Sequence, residues 1–510
     1  MLKNIKYGLA AGAVSVVMAL PGLAFAKTLT VAVQENIVGL DPADVNETLS
    51  HSAARTIYQG LFGLDGQMKI YPILAEKFEV NDASTEYTFY LRKGVKFHDG
   101  TDFNAEAAKI NIERVANPEN RLKRNSLVSM VNKVEIIDTY TIKLVLKEPF
   151  GALVNNLAHA GAVMISPAAL KQYGKEISRH PVGTGPFKFK NWNGDVMEVV
   201  KNENYWKPGL PKVDGVIFRT VPESGARLAM LKTGEAQVVV PLPTEMVRQI
   251  ENDKTLSVIN EPSIVEWFAS MNTKKKPFDN VKVRQALNYA VNKEAFCKVV
   301  FNGFCTPSDS VLPSIMQYHV KQEVYTYDAK KAKELLAEAG YPDGFDAEIV
   351  AGNNTAAGRA IQFLQQQFAQ VGVKLKVQQL ESGVLSSKVW SAQTPEEATV
   401  QMMYGGWSAS TGDTDWALRP LFWGKGFPPK LFNAAYYMNP KVDEALEAAV
   451  GTADNNKRAE LYAIVQKEIQ QDAPWIFLGV DRNLAGKAKN LEGFVLMADR
   501  GFQLDEVEFK

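Results

Sequence analysis

The sequence has few cysteines and histidines and no net charge. Its 510 residues include 2 Cys and 5 His, and 57 Lys and Arg balance 57 Asp and Glu. This balance excludes the broad basic surface of a nucleic-acid-binding protein. The histidines are scattered, and neither an H-E-x-x-H nor a G-x-S-x-G motif occurs. We therefore expect no nucleic-acid partner, no enzymatic activity, and no metal or other cofactor.

Long apolar runs are also missing. Beyond residue 26, no stretch reaches the roughly 18 apolar residues that a membrane-spanning helix needs. The first 26 residues combine Lys3 and Lys6 with a short apolar stretch over 8–20 and an A-x-A site at 24–26. This pattern is typical of a cleavable secretory signal peptide, and we expect the mature chain in the periplasm. The alternative, an anchoring helix, is weaker because the apolar run is short.

The two cysteines, Cys297 and Cys305, both lie in the mature chain and are eight residues apart. In an oxidising compartment such a pair is a disulfide candidate. Two buried free thiols remain the alternative. A zinc site is less favoured, because it needs more ligands than these two.

Strand and helix patterns alternate along the mature chain. Strands are predicted at 28–33, 87–97, 141–146 and 373–377, and helices at 49–61, 105–115, 329–339, 356–370, 442–450 and 457–470. The alternation indicates an α/β architecture. No long linker separates the domains, so we expect the chain to cross between them more than once. The glycine-rich loop at 181–187 is not a P-loop, since no Lys-Ser/Thr pair and no helix follow it.

The segment from Tyr404 to Trp416 has the composition of a binding loop. It follows an apolar strand and contains glycines, two Trp, four hydroxyl side chains and two carboxylates. Loops on a rigid scaffold often carry function, and this mixture suits a polar, zwitterionic small molecule. The alternative is an ordinary turn between a strand and a helix, with Asp415 and Trp416 as cap and core residues.

Three longer strings, at 87–100, 181–187 and 277–287, resemble the peptide-and-nickel class of periplasmic solute-binding proteins that feed ABC importers. The resemblance implies a two-lobed fold of the periplasmic-binding-protein type (type II), with a hinge and an additional α/β domain. It places the signal peptide at 1–26, lobe I at 27–70, 181–270 and 481–510, domain II at 71–180, and lobe III at 271–480. It also implies a monomer that delivers its ligand to an inner-membrane permease.

Within that family, the loop at 406–412 and the stretch around 122–124 resemble the members that bind glutathione. Ser410 stands where dipeptide binders have an Asp that holds the ligand's ammonium. The aligned stretch 351–354 also lacks the Arg that holds a dipeptide's carboxylate. The resemblance therefore favours glutathione, or a related small peptide, over a free dipeptide.

The expected ligand carries two carboxylates and one ammonium, so planar Arg donors are its natural partners. We predict that the guanidinium groups of Arg121, Arg124 and Arg359 bind carboxylates. Trp407 is expected to pack on the ligand's stem, and Asp413 to hold its ammonium. The predicted hydroxyl contacts are Ser408, Ser410 and Thr411.

Other functions remain open from the sequence. A di- or oligopeptide-binding protein, or one that captures haem or a nickel chelate, would belong to the same importer family. An exported peptide hydrolase and a chaperone-like receptor for unfolded peptides are the alternatives from other classes.

Overall fold

The structure, a computed structural model, describes residues 27–510. The predicted signal peptide over 1–26 lies outside the described residues. Within the described chain, no helix is long and apolar enough to cross a membrane.

The strands carry most of the architecture. In chain order they are β1 (Thr28–Val33), β2 (Gln59–Gly60), β3 (Phe62–Leu64), β4 (Ile70–Pro72), β5 (Ala75–Val80), β6 (Glu86–Leu91), β7 (Val131–Asp138), β8 (Thr141–Leu146), β9 (Val163–Met164), β10 (Phe187–Asn193), β11 (Val196–Lys201), β12 (Gly215–Thr220), β13 (Val238–Val240), β14 (Leu256–Met271), β15 (Cys305–Pro307), β16 (Asp346–Gly352), β17 (Lys374–Leu380), β18 (Met402–Ser408), β19 (Trp475–Ala488), β20 (Leu491–Glu492), β21 (Val495–Leu496), β22 (Phe502–Gln503) and β23 (Glu508–Phe509).

The helices pack on both faces of the sheets. In chain order they are α1 (Thr48–Arg55), α2 (Ala105–Ala116), α3 (Leu153–Ala158), α4 (Pro167–Tyr173), α5 (Ser224–Thr233), α6 (Val247–Glu251), α7 (Val281–Tyr289), α8 (Lys293–Phe301), α9 (Ala329–Glu338), α10 (Thr355–Ala369), α11 (Ser382–Trp390), α12 (Thr414–Phe422), α13 (Pro440–Val450) and α14 (Asn455–Asp472). Short 3-10 turns occupy Pro42–Asp44, Pro118–Asn120, Asn125–Leu127, Gly174–Arg179 and Thr244–Met246.

A single sheet of eleven strands runs through two lobes. Its order is β10-β11-β12-β1-β13-β19-β14-β18-β16-β17, and β15 pairs with β19. The two longest strands, β14 and β19, run antiparallel at the centre and belong to both halves. On one side β1 lies parallel to β12 and β13, and on the other β16 lies parallel to β17 and β18. The predicted α/β, two-lobed fold is therefore confirmed, with β14 and β19 as the crossing strands.

A separate antiparallel sheet, β5-β6-β8-β7, forms the additional α/β unit between residues 75 and 146. In β6 the side chains of Tyr87, Phe89 and Leu91 are buried and alternate with half-buried neighbours. This alternation is the period of two that a strand with one covered face shows. Helix α2 packs against this sheet and begins at Asn104, whose side chain accepts the backbone N–H of Ala107.

Most of the predicted elements are present, but the helix in this region is shorter than the predicted range of 49–61. Helix α1 ends at Arg55, and the chain then turns into β2 and β3. The Thr56 hydroxyl donates to the carbonyl of Ala53, which closes the last turn. Ile57 and Leu61 are fully buried, so their apolar spacing reflects the tertiary core rather than a continuing helix.

The glycines of the loop at 181–187 allow close backbone packing. A Cβ at Gly183 would lie 2.2 Å from the carbonyl oxygen of Ile57, and one at Gly185 would lie 2.6 Å from the same atom. The backbone N–H of Gly185 donates to that oxygen at 2.8 Å. The loop thus needs glycine to approach the chain after α1.

Cys297 and Cys305 form a disulfide with a Cα–Cα distance of 5.1 Å. Cys297 lies in α8 and Cys305 begins β15, which pairs with the crossing strand β19. A Cβ at Gly479 of β19 would lie 2.7 Å from the Cys305 sulfur. The disulfide therefore joins α8 to an edge strand and packs directly on β19.

Candidate functional site

The loop from β18 to α12 lies beside the crossing strands. Strand β18 pairs with β14, so that Trp407 lies opposite Glu266 and Ser408 lies opposite Val265. Gly412 has a φ of +70°, and a Cβ there would lie 2.8 Å from the carbonyl oxygen of Met68. Glycine is required at this position because the backbone turns left-handed against another segment of chain.

Asp413 ends the loop and caps α12 by accepting the backbone N–H of Asp415 at 2.7 Å. Its carboxylate also accepts two hydrogen bonds from Arg458 of α14, at 2.6 and 3.0 Å. Both side chains are almost fully buried. The two oxygens of Asp413 are therefore already occupied, and the ammonium-binding role predicted for this carboxylate needs correction. Asp413 neutralises a buried guanidinium and fixes the loop.

The two tryptophans of the segment lie together. The Trp407 indole N–H donates to the carbonyl of Trp416 at 2.9 Å, and the ring centroids are 5.8 Å apart. Phe432 packs on the other side of Trp407, with a centroid distance of 5.1 Å. Trp407 is half-buried and packs against the main core, so its ring is held rigidly at the edge of the site.

A cavity of about 720 Å³ lies next to this loop, between the additional α/β unit and the second lobe. One wall comes from residues 126–130 and 147–156, and the other from residues 411–425, 431 and 447–451. Thr411, Asp413 and Trp416 of the loop line it. Ligand cavities commonly measure about 300–1,000 Å³, so this volume suits a small peptide.

The two walls touch each other at the edge of the cavity. The backbone N–H of Gly151 donates to the carbonyl of Val450 at 2.6 Å, and that of Ala453 donates to the Ser84 hydroxyl at 2.9 Å. The Asn155 side chain donates to the carbonyl of Thr411 at 3.3 Å. These contacts hold the additional unit against the loop from β18 to α12, which we call the binding loop.

Three cations line the cavity, and their partners differ. Arg419 forms two 2.7 Å hydrogen bonds with Asp415, which lies four residues earlier in α12. Lys425 pairs with Glu447 at 2.7 Å. Lys147 is exposed and donates to the carbonyl of Ser129 at 2.7 Å, and over residues 27–510 it forms no salt bridge. Lys147 is therefore the lining cation with the greatest capacity to bind a ligand carboxylate.

The predicted hydroxyl residues are adjacent along the chain but differ in exposure. Ser408 ends β18 and is half-buried, as is Ser410 in the loop. Thr411 is buried, and its hydroxyl accepts the backbone N–H of Asp413 at 3.3 Å. Of these three residues, Thr411 lines the cavity of about 720 Å³.

Arg124 is not among the residues that line this cavity, and it bonds to the chain segment before α1. Its Nε and Nη2 donate to the carbonyls of Val45 and Asn46, each at 3.0 Å. It lies beside His51, where burial and then the Arg124 charge lower the imidazole pKa to about 3. Because its guanidinium group already donates to two backbone carbonyls, the structure favours a structural role for Arg124 over the predicted carboxylate contact.

The other two predicted arginines also do not line the cavity. Arg121 is exposed, with a φ of +52°, and ends the 3-10 turn at Pro118–Asn120. Arg359 lies near the start of α10 and is half-buried, and its Nε has no partner among the described residues. Of the predicted residues, Thr411 and Asp413 line the cavity, Trp407 packs on the lining residue Trp416, and the three arginines are not among the lining residues.

Sequence reasoning missed Lys147, Arg419 and Lys425, and it left open whether Trp416 is a binding or a core residue. The i, i+4 spacing of Asp415 and Arg419 was a visible signal of an ion pair on one helix face. Nothing near Lys147 in the sequence indicated that it faces α12, because about 270 residues separate them. The pairing of Asp413 with Arg458 could not be predicted for the same reason, since 45 residues separate the two.

Comparison with known proteins places this architecture in a family. Residues 69–428 match the family described as bacterial extracellular solute-binding proteins, family 5 middle region. The chain is 47% identical over 501 residues to the glutathione-binding protein GsiB of Pectobacterium atrosepticum, covering 98% of this chain and 97% of that protein. It is 46% identical over 507 residues to GsiB of Salmonella typhimurium, covering 99% of each.

The fold has a solved counterpart. The structure of HbpA2 from Haemophilus parasuis superposes with a TM-score of 0.85 at 28% identity, covering 95% of this chain and all of that one. The sequence match spans well over half of the chain and includes the additional unit and the binding loop. The chain therefore belongs to family 5 of the bacterial extracellular solute-binding proteins.

Proposed function

We propose that this protein is the periplasmic component of an ABC importer, which captures glutathione or a related small peptide and delivers it to an inner-membrane permease. The observation that carries the proposal is the identity of 46–47%, over nearly the whole chain, to proteins named as glutathione-binding. The mature chain would begin after Ala26 and act as a monomer in the periplasm.

The geometry supports a small anionic peptide as ligand. The cavity of about 720 Å³ exceeds the volume of a tripeptide, and it combines the apolar surfaces of Phe150 and Trp416 with the charge of Lys147. Ser408 and Ser410 do not line the cavity, but they precede the lining residue Thr411 in the chain, and we propose that they contact a ligand that extends towards the crossing strands. Arg121 and Arg359 also lie outside the lining and remain proposed carboxylate partners on the chemistry of their guanidinium groups alone.

The mechanism is a change in population between open and closed forms. We propose that 27–70, 181–270 and 481–510 move as lobe I, that 71–180 form domain II, and that 271–480 move as lobe III. Rotation about β14 and β19 would open the cavity between the additional unit and the binding loop. A ligand stabilises the closed form only to the extent that it binds that form better.

Isothermal titration calorimetry with the mature protein tests the proposal. Reduced glutathione, oxidised glutathione and Ala-Ala are titrated separately, each into protein that has been unfolded and refolded to remove any bound ligand. We expect binding of reduced or oxidised glutathione at micromolar strength or tighter, and weaker binding of Ala-Ala. A strong signal with Ala-Ala and none with either form of glutathione would overturn the proposed ligand.

A further inference from the structure

The two crossing strands separate locally and leave a pocket between the lobes. The register between β14 and β19 shifts between Pro262, opposite Arg482, and Glu266, opposite Val480. The intervening residues bulge, and the backbone N–H of Ile264 donates instead to the carbonyl of Ala498 at 3.1 Å. The resulting cavity measures about 140 Å³. We call it the hinge pocket, and its polar lining includes Ser263, Glu266, Ser308, Asp309, Ser310 and Asp481.

One buried carboxylate of this pocket has an oxygen without a partner. Glu266 is 3% exposed, its Oε1 accepts the Ser308 hydroxyl, and its Oε2 has no partner among the described residues. Asp481 also lines the pocket, but it follows Val480, the residue opposite Glu266, so its side chain projects from the other face of the sheet, where its Oδ2 accepts Arg500 at 2.5 Å. A buried acceptor without a donor is costly, so the pocket needs an occupant that donates.

The hydroxyl groups in the pocket are also acceptors. The hydrogen of Ser308 is used towards Glu266, and that of Ser310 is used towards Gln466 at 3.0 Å. The oxygen lone pairs of both serines therefore remain for a donor. An ammonium, which has several N–H donors and no acceptor, matches these oxygens and the free Oε2 of Glu266. Arg482 and the hydroxyls of Ser263, Thr306 and Ser314 complete the polar lining.

The hinge pocket borders the binding loop. Glu266 lies directly opposite Trp407 across the β14–β18 pair, and the next pair joins Val265 to Ser408. The carboxylate of Glu266 and the indole of Trp407 therefore project from the same face of the sheet. A ligand that contacts Trp407 and Ser408 lies within one strand spacing of the pocket.

We propose that the hinge pocket binds the ammonium group of the captured ligand, through Glu266 with the hydroxyl oxygens of Ser308 and Ser310. The proposal rests on the proposed function and names the groups that select an amino-bearing peptide. It also explains how the protein binds such a ligand although Asp413 is occupied by Arg458 and Ser410 carries no charge. Since the pocket lies between the crossing strands, an occupant there contacts the hinge itself.

Three basic and two acidic side chains lie around Glu266. Lys293 of α8 is buried nearby, Asp309 follows β15, Arg482 extends from β19, and Arg500 pairs with Asp481. Burial raises the pKa of Glu266 to about 8, against the opposing effects of the Ser308 hydrogen bond and the Lys293 charge. An ammonium in the pocket would favour the carboxylate form, so ligand binding at neutral pH should release a proton from Glu266.

The experiment compares two ligands and two variants. Glutathione and its desamino analogue, glutaryl-cysteinyl-glycine, are titrated into the wild-type protein and into Glu266→Gln. Glu261→Gln is the matched control, because Glu261 lies on the same strand but is exposed. We expect the desamino analogue to bind wild type at least tenfold more weakly than glutathione. Glu266→Gln should weaken glutathione binding at least tenfold and binding of the analogue less than twofold.

Proton release is the second readout. Titrations at pH 7 in buffers of different ionisation enthalpy should show protons released when wild type binds glutathione, and no such release with Glu266→Gln. If Glu266→Gln does not fold, Ser308→Ala and the comparison of the two ligands on wild type replace it.

The outcomes separate this inference from the proposed function. Failure of wild type to bind glutathione overturns the proposed function and this inference with it. If glutathione binds but the desamino analogue binds within twofold of it, the inference alone is overturned. Equal losses for both ligands on Glu266→Gln also overturn it, and would assign Glu266 a purely structural role with water in the pocket.

Discussion

Asp413 and Arg458 form a buried, bidentate ion pair with N–O distances of 2.6 and 3.0 Å. The pair joins the loop after β18 to helix α14, and the hydroxyl of Tyr462 accepts a further hydrogen bond from Arg458 at 3.2 Å. The Asp413 charge raises the pKa of Arg458 against the opposing effect of burial, so the guanidinium stays charged. The position of the binding loop therefore depends on a contact made outside the loop.

Removing one partner of this pair should destabilise the protein. Arg458→Met leaves the Asp413 carboxylate buried without a counter-ion, which typically costs about 3–5 kcal/mol. Urea unfolding measures the change. Lys376→Met is the control, because the Lys376–Glu348 pair is exposed and such pairs contribute about 0–1 kcal/mol. Equal midpoints for Arg458→Met and wild type would contradict the role assigned to the pair.

Lys147 should contribute to binding of an anionic ligand without stabilising the fold. Lys147→Met removes the lining cation that forms no salt bridge within residues 27–510, and we expect glutathione affinity to fall about tenfold, or about 1.4 kcal/mol. The loss should shrink at high salt, because the charge is exposed. Calorimetry at low and high ionic strength measures it. Lys133→Met, in strand β7 beside the strand that ends just before Lys147 but outside the cavity, should bind like wild type.

The disulfide should stabilise the chain mainly by restricting its unfolded state. Replacing both cysteines, as in Cys297→Ser with Cys305→Ser, opens a loop of eight residues, and the chain-entropy relation gives a cost of roughly 2–3 kcal/mol. Thermal or urea unfolding of this double variant measures the cost. Addition of a reductant to wild type should produce a similar shift, whereas the double variant should not respond to reductant.

The contribution of Glu266 to the stability of the protein should fall between about pH 5 and pH 8. Burial raises the pKa of Glu266 in the folded state to about 8, whereas the unfolded carboxyl ionises near pH 4.5. Over this range the folded state holds a proton that the unfolded state has lost, so raising the pH favours unfolding. Burial lowers the pKa of Lys293 to about 8, so Lys293 affects the slope only at higher pH.

Urea unfolding of wild type and Glu266→Gln at several pH values checks this prediction. The difference in unfolding free energy between the two proteins should change steadily with pH in that range. Glu261→Gln should follow wild type throughout. A constant difference between wild type and Glu266→Gln would show that Glu266 does not titrate in this window.

Local signals in the sequence predicted many elements correctly. Asp328 was identified as the cap of the helix that the structure places at Ala329–Glu338, and its carboxylate accepts two backbone N–H groups. The alternation at 28–33 and 141–146 gave the bounds of β1 and β8. Such signals are reliable because capping and side-chain alternation act over a few residues.

The roles of polar side chains were harder to predict. Arg124 bonds to a carbonyl 79 residues away, Asp413 to a guanidinium 45 residues away, and Glu266 to a hydroxyl 42 residues away. A charged residue type indicates what a side chain can bind, but not which of its donors or acceptors remain available after folding. That is why Asp413 was a good candidate from the sequence and an occupied one in the structure.

By itself, the sequence determined the class of fold and the family, because those depend on the order of strand and helix patterns and on strings of residues within short segments. It also identified the loop beside the cavity, since tryptophans, hydroxyls and glycines rarely cluster in a plain turn. Only the tertiary structure decided which polar atoms were left without partners, among them the carboxylate oxygens of Glu266 and Asp481. The physical reason is that hydrogen-bond satisfaction in the interior is settled by contacts between distant segments, and these form only when the lobes assemble.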